Sequence, residues 1–481
     1  MKLTSVLSSI IATFAIAFNA NAAENPPNII WIYIEDQNPW YSTYAQGLVK
    51  TPNIDALAKE GVVFERAYAP VPVCAPSRSA LITGTYPIRT GTHDMRSGRV
   101  PYYQIALPEG VTTVPELFRK AGYATFNRGK DDYNFTYDRN ELYTIGEIVR
   151  DNGWKGLVGS GHWSEVPEGM SFFAQLQTQG GKHGTGGKLA ERLTKLGLPT
   201  VSPDAVSVPP QYPDIPEMRD AVADHLDSMT MTDYEVGEFM KQLKKDGLWD
   251  NSIIFMFSDH GSALPRSKEF CYDEGLCVPL VVVAPGMQDI VVPGTRRSDL
   301  VTIMDVTATS LALAGLDIPT FMDSKNLFAK DYKRDYLFAS ADRMSNVIDR
   351  VRSVTGPRFH YIRNFLTDRS LNQWGHRDMV GLPEFVKIRQ LYEQGKLTEA
   401  QALPYGPRSP EELYDLDNDP HELINLAKNP KFKAELDEMR KQLATWIEDT
   451  DDKGQYPRSA EAMREITERF PPEWLKGPDF Q

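Results

Sequence analysis

A cysteine, a proline and an arginine stand close together in the segment Cys74-Ala75-Pro76-Ser77-Arg78, which runs through small residues to Gly84. Pro76 favours the first turn of a helix and Gly84 its end, so the segment predicts a short helix that begins near the cysteine. The unpaired N–H groups and the positive dipole end of such a helix attract an anion. Arg78 lies one turn further in and can point back to the same spot. The segment therefore predicts an anion site that contains a cysteine.

Two pairs of polar residues follow strongly apolar runs elsewhere in the chain. Glu35 and Asp36 directly follow the first run, and Asp259 and His260 come just after the second. Such runs fit strands that are buried on both faces of a parallel sheet, and ligands in these sheets bind beyond the carboxyl ends of the strands. Carboxylates are oxygen donors that suit calcium. The two pairs therefore predict a common site at one edge of a sheet.

Strands alternate with helices through the first two thirds of the chain. The apolar runs at 28–34, 252–257 and 278–283 predict buried strands, and the amphipathic segment 233–245 predicts a helix. This alternation predicts an α/β fold with a large, doubly wound, mixed but mostly parallel sheet that carries helices on both faces. The segment 141–216 is irregular and rich in Gly and Pro, so we expect loops and short helices there.

The pattern changes near residue 336, where short alternating segments precede a helix that is predicted over 429–449. This change predicts a smaller C-terminal α+β subdomain, at 336–481, with an antiparallel sheet. The main domain is then expected at 23–335.

The first 22 residues are typical of a secretory signal peptide, because Lys2 precedes an apolar stretch and small residues surround a cleavage position near Ala22. We therefore expect a periplasmic or secreted protein with no membrane anchor. The formal net charge of −13 over 481 residues argues against a nucleic-acid partner. Cys271 and Cys277 could form a disulfide or remain free thiols, and their spacing alone does not decide between the two.

The pattern C-x-P-S-R at Cys74, closed by Thr83-Gly84, resembles the signature of the formylglycine-dependent sulfatases of the alkaline phosphatase superfamily. The resemblance extends from Asn28 to about Asp449. It implies that a formylglycine-generating enzyme oxidises Cys74 to an aldehyde, 3-oxoalanine, whose hydrate is the nucleophile. It also implies one bound Ca²⁺ with the ligand set Glu35, Asp36, Cys74, Asp259 and His260.

The resemblance also implies roles for further residues. The catalytic group comprises Cys74, Arg78, Lys130, Asp132, His183 and Lys268. The substrate-binding group comprises Lys182, which the resemblance implies, and four residues that we expect to line the substrate cleft from their position and chemistry, since arginines suit a polyanion: His93, Arg96, Arg99 and His376. Within these groups, His183 or Lys182 serves as the general acid, and Lys268 contacts the sulfuryl oxygens. Two positions depart from the family pattern: Glu35 stands where the family has an aspartate, and Asp132 where it has a histidine.

The function implied by the resemblance is sulfuric ester hydrolysis on a sulfated sugar of a polysaccharide or oligosaccharide. An algal glycan such as carrageenan or ulvan is the expected substrate, and glycosaminoglycans stay open. A phosphodiester or phosphonate hydrolase of the same superfamily is one alternative. A non-catalytic glycan-binding relative is another, since the departures at Glu35 and Asp132 leave room for lost catalysis.

Overall fold

The computed structural model describes residues 26–44, 47–153, 156–178, 180, 188–373 and 381–481. The predicted signal peptide, residues 1–22, lies outside the described residues. The candidate site residues Lys182, His183 and His376 also lie outside them. Within the described ranges, no helix has both the length and the apolar character needed to cross a bilayer.

Most strands of the first 302 residues form one large sheet. In chain order the strands are β1 (Asn28–Ile34), β2 (Val62–Tyr68), β3 (Arg99–Val100), β4 (Tyr103–Gln104), β5 (Ala124–Lys130), β6 (Ile148–Asp151), β7 (Leu157–Gly159), β8 (Phe172–Gln177), β9 (Ser252–Ser258), β10 (Cys277–Val283), β11 (Thr295–Arg297) and β12 (Val301–Thr302). The sheet order is β11-β2-β10-β9-β1-β8-β5-β7-β6, with β12 also beside β2, while β3 and β4 pair separately. The central strands β9, β1, β8 and β5 are parallel, and β10 is antiparallel to both of its neighbours. The predicted mixed α/β sheet is confirmed.

Helices cover both faces of this sheet. In chain order the helices are α1 (Pro52–Lys59), α2 (Cys74–Thr83), α3 (Pro87–Thr90), α4 (Val114–Lys120), α5 (Arg139–Leu142), α6 (Lys188–Lys195), α7 (Pro216–Lys245), α8 (Asp273–Leu276), α9 (Asp305–Leu313), α10 (Pro383–Glu393), α11 (Glu399–Ala402), α12 (Lys433–Asp449) and α13 (Ala460–Arg469). Alternate residues of β1 enter the two cores: Ile30 and Ile32 share one with α1 and α7, and Trp31 shares the other with α4 and α9. Because both faces of β1 are covered, its sequence is apolar throughout.

The expectation of loops and short helices across 141–216 is wrong at β8. This strand lies between β1 and β5 in the middle of the sheet, in parallel register with both. The helix predicted over 233–245 also begins much earlier, at Pro216. The first half of α7 buries residues on nearly every side, including Asp227 and Thr230, so it carries no amphipathic stripe that the sequence could reveal.

The C-terminal part contains the predicted antiparallel sheet. Its strands are β13 (Leu337–Ala341), β14 (Val351–Thr355), β15 (Phe359–Asn364) and β16 (Glu411–Asp415), in that order, with α12 packed against β14 and β15. Cys271 and Cys277 are both free thiols. Of the two possibilities that their spacing leaves open, a disulfide or free thiols, the structure has the free thiols.

Candidate active site

The two polar pairs meet because β1 and β9 are parallel neighbours that end level with each other, Ile34 opposite Ser258. The backbone N–H of Asp36 donates to Oδ1 of Asp259 at 3.3 Å. Asp36 has a φ of 57°, in the left-handed region that aspartate tolerates better than most residues. This backbone turn sets the Asp36 side chain beside the tip of β9.

Cys74 is the first residue of α2, as the sequence predicts, and is 1% exposed. Its Sγ lies 3.2 Å from Nε2 of His260, 3.4 Å from Nζ of Lys268 and 3.9 Å from Oδ1 of Asp36. The Ser77 hydroxyl donates to the carbonyl oxygen of Asp259 at 2.6 Å, which fixes the first turn of α2 to the tip of β9. The thiol is therefore held among cations and a carboxylate at a helix N-terminus.

The surroundings of Cys74 favour a negative charge on it. Burial raises the pKa of the thiol, but the positive charges of Lys130, Lys268 and His260 outweigh burial and lower the pKa to about 6. A group that carries negative charge at this position is thus stabilised by fixed cations in a water-poor site.

Arg78 joins the tips of β1 and β9. Its Nε donates to Asp259 Oδ2 at 3.2 Å and its Nη2 to Glu35 Oε1 at 3.0 Å. The guanidinium also lies 4.1 Å from the centre of the Tyr33 ring. Because Arg78 binds carboxylates from two strands by a rigid fork, it fixes the separation between them.

Lys130 is the last residue of β5. Its ammonium contacts the Glu35 carboxylate and lies 3.5 Å from Oδ2 of Asp132. Gln177 supports both partners: its Nε2 donates to Glu35 Oε1 at 3.2 Å, and its Oε1 accepts from the Lys130 backbone N–H at 2.8 Å. Gln177 is not among the predicted site residues, because it ends β8, which lies within the segment where the pattern predicts loops and short helices. A polar residue after an apolar run was the available signal.

Asp132 is fully buried among cations. Arg96 donates to its two carboxylate oxygens through Nε and Nη2, both at 3.1 Å, and Nη2 of Arg99 donates at 3.1 Å. Burial raises the pKa of Asp132, but Arg96, Lys130 and Arg99 outweigh it and hold the pKa well below its usual range. Arg96 and Arg99, which are predicted to bind substrate, therefore lie beside Asp132 and Lys130 of the predicted catalytic group. His93 instead lies near Asp94 and Asp452.

Lys268 contacts both the carboxylate and the thiol of the site. Its Nζ donates to Oδ1 and Oδ2 of Asp36, each at 2.8 Å, besides its contact with Cys74. The side chain is buried. In the sequence, only the resemblance to the sulfatases points to Lys268, and the fold brings this residue from the β9–β10 connection to the thiol.

Three possible metal donors converge at the same point: one atom each from Asp36, Cys74 and His260, all within 4.8 Å of one another. Oδ1 of Asp259 lies 3.6 Å from Nε2 of His260. Donors that share one calcium ion at about 2.4 Å are roughly 3–4 Å apart, so this spacing fits a cation. Oε1 of Glu35, in contrast, accepts from Arg78 and Gln177 and contacts Lys130.

The orientation of His260 also fits a metal ligand. Its Nδ1 lies 2.8 Å from the Gly261 carbonyl oxygen, which can only accept, so Nδ1 carries the proton and Nε2 faces Asp36 and Cys74. Burial and the positive charge of Lys268 lower the pKa of His260, but the negative charges of Asp259, Cys74 and Asp36 outweigh them and raise it to about 10. The carboxylates thus attract positive charge to this point.

The Sulfatase family model matches residues 27–316. An ulvan-active sulfatase from Formosa agariphila is 29% identical over 478 residues, covering 90% of this chain and 76% of that one. Human N-sulphoglucosamine sulphohydrolase is 24% identical over 469 residues, covering 89% and 91%. Among solved structures, a 2-O GAG sulfatase matches with a TM-score of 0.63 and 21% identity, covering 92% of this chain and 96% of that one. The family match spans more than half of the chain and includes the whole site around Cys74, so the chain belongs to the sulfatase family.

Proposed function

We propose that this sulfatase removes sulfate esters from an ulvan-like algal polysaccharide, with formylglycine at position 74 as the nucleophile and one calcium ion in the site. The observation that carries the proposal is the thiol of Cys74, held at the start of α2 within 3.4 Å of both Lys268 and His260. The substrate class rests on the relatives named ulvan-active sulfatase. Carrageenan and glycosaminoglycans are the competing substrates.

Oxidation of the Cys74 thiol by a formylglycine-generating enzyme would supply an aldehyde, whose hydrate oxygen attacks sulfur. The chain's own cations then carry the electrostatic part of the reaction. Lys268 already touches the Cys74 side chain, so its ammonium can reach the oxygens of a sulfuryl group that is bonded there. Arg78 and Lys130, whose charges are partly balanced by Glu35, stabilise the negative charge on the nucleophile.

Two proton transfers complete the cycle. The leaving alcohol needs a proton, and we assign this step to His183, with Lys182 as the alternative, because histidine titrates near neutral pH. The second step returns the aldehyde and frees sulfate, and a carboxylate takes the proton. Asp36 and Asp259 are the candidates because they lie at the thiol side of the site.

Asp36, Asp259, His260 and the oxygen at position 74 would hold the calcium ion, and the assignment of Glu35 as a further ligand stays a prediction. The exchange of the Cys74 sulfur for oxygen makes the donor set harder and so better suited to calcium. Calcium would act as a Lewis acid and a template for the sulfuryl group. Export by the predicted signal peptide would bring the enzyme to the periplasm or the extracellular medium, where it can bind polysaccharide.

The test is sulfate release from defined oligosaccharides of ulvan, carrageenan and glycosaminoglycans, measured by ion chromatography. The protein is produced together with a formylglycine-generating enzyme, and Cys74→Ala is the control. We expect release from ulvan oligosaccharides by the wild type and none by the control. No release from any of these sugars by fully converted protein would refute the proposal. Faster turnover of an aryl phosphodiester than of an aryl sulfate would favour the phosphodiesterase alternative. Binding of the glycans without any sulfate release would favour the non-catalytic alternative.

A further inference from the structure

The C-terminal helix α13 holds the backbone of the segment that carries Arg96 and Arg99. Glu465 on α13 is 1% exposed and accepts from the Ser97 hydroxyl at 3.3 Å, the Gly98 N–H at 3.2 Å and the Arg99 N–H at 3.1 Å. Arg469, one turn later on α13, pairs with Glu465 at 2.6 Å. A buried carboxylate with several donors is costly to remove, because those donors then lose their partner.

A second contact ties the tail to the start of the same segment. Arg458 donates to both carboxylate oxygens of Asp94, at 2.7 Å each, and Asp94 also accepts from the Arg343 backbone N–H at 3.0 Å. Between the two contacts, Arg96 has a φ of 54°, which a long side chain adopts only when its surroundings impose it. Arg469 also donates to the Arg96 carbonyl oxygen. The tail therefore sets the backbone conformation from which Arg96 and Arg99 project.

These two arginines connect the tail to the catalytic group. Arg96 and Arg99 hold the Asp132 carboxylate, and Asp132 lies 3.5 Å from the Lys130 ammonium, which contacts Glu35. Every link in this chain of contacts is an ion pair or a charge-assisted hydrogen bond between largely buried groups. Such groups have few alternative partners, so a shift at one end moves the next.

We propose that Glu465 is a positioning residue for the active site: it fixes the 96–99 segment so that Arg96 and Arg99 hold Asp132, and Asp132 in turn directs Lys130. The C-terminal tail thus completes the site from outside the region that the family model matches. The effect on turnover rests on the proposed function, because Lys130 acts there on the nucleophile. The effect on the conformation of the segment that carries Lys130 is independent of the proposed function.

The kinetic test compares Glu465→Gln with Glu468→Gln, an exposed glutamate on the same helix, at equal formylglycine content. We expect Glu465→Gln to lower kcat/KM about tenfold and Glu468→Gln to change it less than about twofold. A double-mutant cycle with Asp132→Asn separates an effect that acts through Asp132 from a general loss of structural stability. If Glu465 acts through Asp132, Glu465→Gln costs less than about twofold in the Asp132→Asn background. Equal losses in the two backgrounds would overturn the proposal.

Hydrogen exchange gives a readout that needs no activity. We expect Glu465→Gln to speed amide exchange in the peptide that covers residues 130–134. Glu465 makes its hydrogen bonds to residues 97–99 and not to this peptide, so faster exchange there would report an indirect effect. Arg458→Gln, which breaks the other contact with the segment, should act in the same direction, and Glu468→Gln should leave the exchange unchanged. Unchanged exchange in both tail variants would overturn the positioning role. A wild type that released no sulfate would refute the proposed function while this measurement still decided the role of Glu465.

Discussion

The resemblance to the sulfatases implies that Asp132 stands where the family has a histidine, and replacing the charge of Asp132 tests whether this residue has a defined role. Asp132→Asn keeps the side-chain size and a residue type that tolerates the φ of 56° at this position. The change therefore removes one negative charge and turns one of the two acceptor oxygens into an NH2 donor, while the size of the side chain stays the same. That charge is shared by Arg96, Arg99 and Lys130, whose side chains are 14%, 12% and 11% exposed.

The loss of stability follows from these contacts. Removal of one partner from a buried ion pair costs about 3–5 kcal/mol, since the other charge stays buried. Because each of the three cations keeps some contact with water, we expect the low end, about 3 kcal/mol. Urea unfolding of Asp132→Asn measures this loss in the free energy of unfolding. The matched control is Asp289→Asn, at an exposed aspartate, which should change stability by less than about 0.5 kcal/mol.

The stability that the Asp132 charge contributes should depend on pH in a definite direction. The three cations hold the pKa of Asp132 well below its unfolded value of about 3.9, so its contribution is fully present above about pH 4. It is lost as the pH falls towards the folded-state pKa. The stability difference between wild type and Asp132→Asn should therefore stay constant from neutral pH to about pH 5 and shrink below about pH 4. A variant as stable as the wild type at pH 7, or a gap that widens in acid, would refute the reasoning.

Activity should follow the same logic: Asp132→Asn should lower kcat/KM about tenfold to a hundredfold, through Lys130. Asp132→His should lower it at least as far, because a buried imidazole beside these three cations stays neutral and does not balance their charge. Lys268→Met should lower kcat about a hundredfold at equal formylglycine content, since Lys268 touches the residue-74 side chain, and wild-type turnover in this variant would contradict its role. Removal of calcium by a chelator should abolish activity and lower the thermal midpoint, because an ion present at a hundred times its Kd contributes about 2.7 kcal/mol. Calcium should restore both, and full activity after exhaustive chelation would exclude the metal site.

The sequence predicted the strands that carry the site better than the rest of the fold. β1 and β9 are buried on both faces, and such strands are continuous apolar runs that end in polar residues, so both the strands and the polar pairs after them were readable. The residue pattern does not predict β8, because this strand is a short run inside a segment rich in Gly and Pro. Gln177 was lost with it, although it supports both Glu35 and Lys130.

Contacts between distant segments are the second class of feature that the sequence could not give. Nothing in the local pattern near Glu465 shows that it accepts hydrogen bonds from residues more than 360 positions earlier. The Asp132 substitution looked like a lost histidine, and only the fold shows that Arg96 and Arg99 surround it with positive charge. Charge compensation of this kind depends on tertiary packing, and a single sequence does not record it.

The central claim is that residue 74 acts as an aldehyde in the active enzyme. Mass spectrometry of the peptide that contains position 74, on protein fractions of graded specific activity, tests it most directly. We expect the aldehyde form in every active fraction, with activity proportional to its share, and no activity in the fraction that retains the thiol. Sulfate release by protein whose Cys74 thiol is intact would contradict the account.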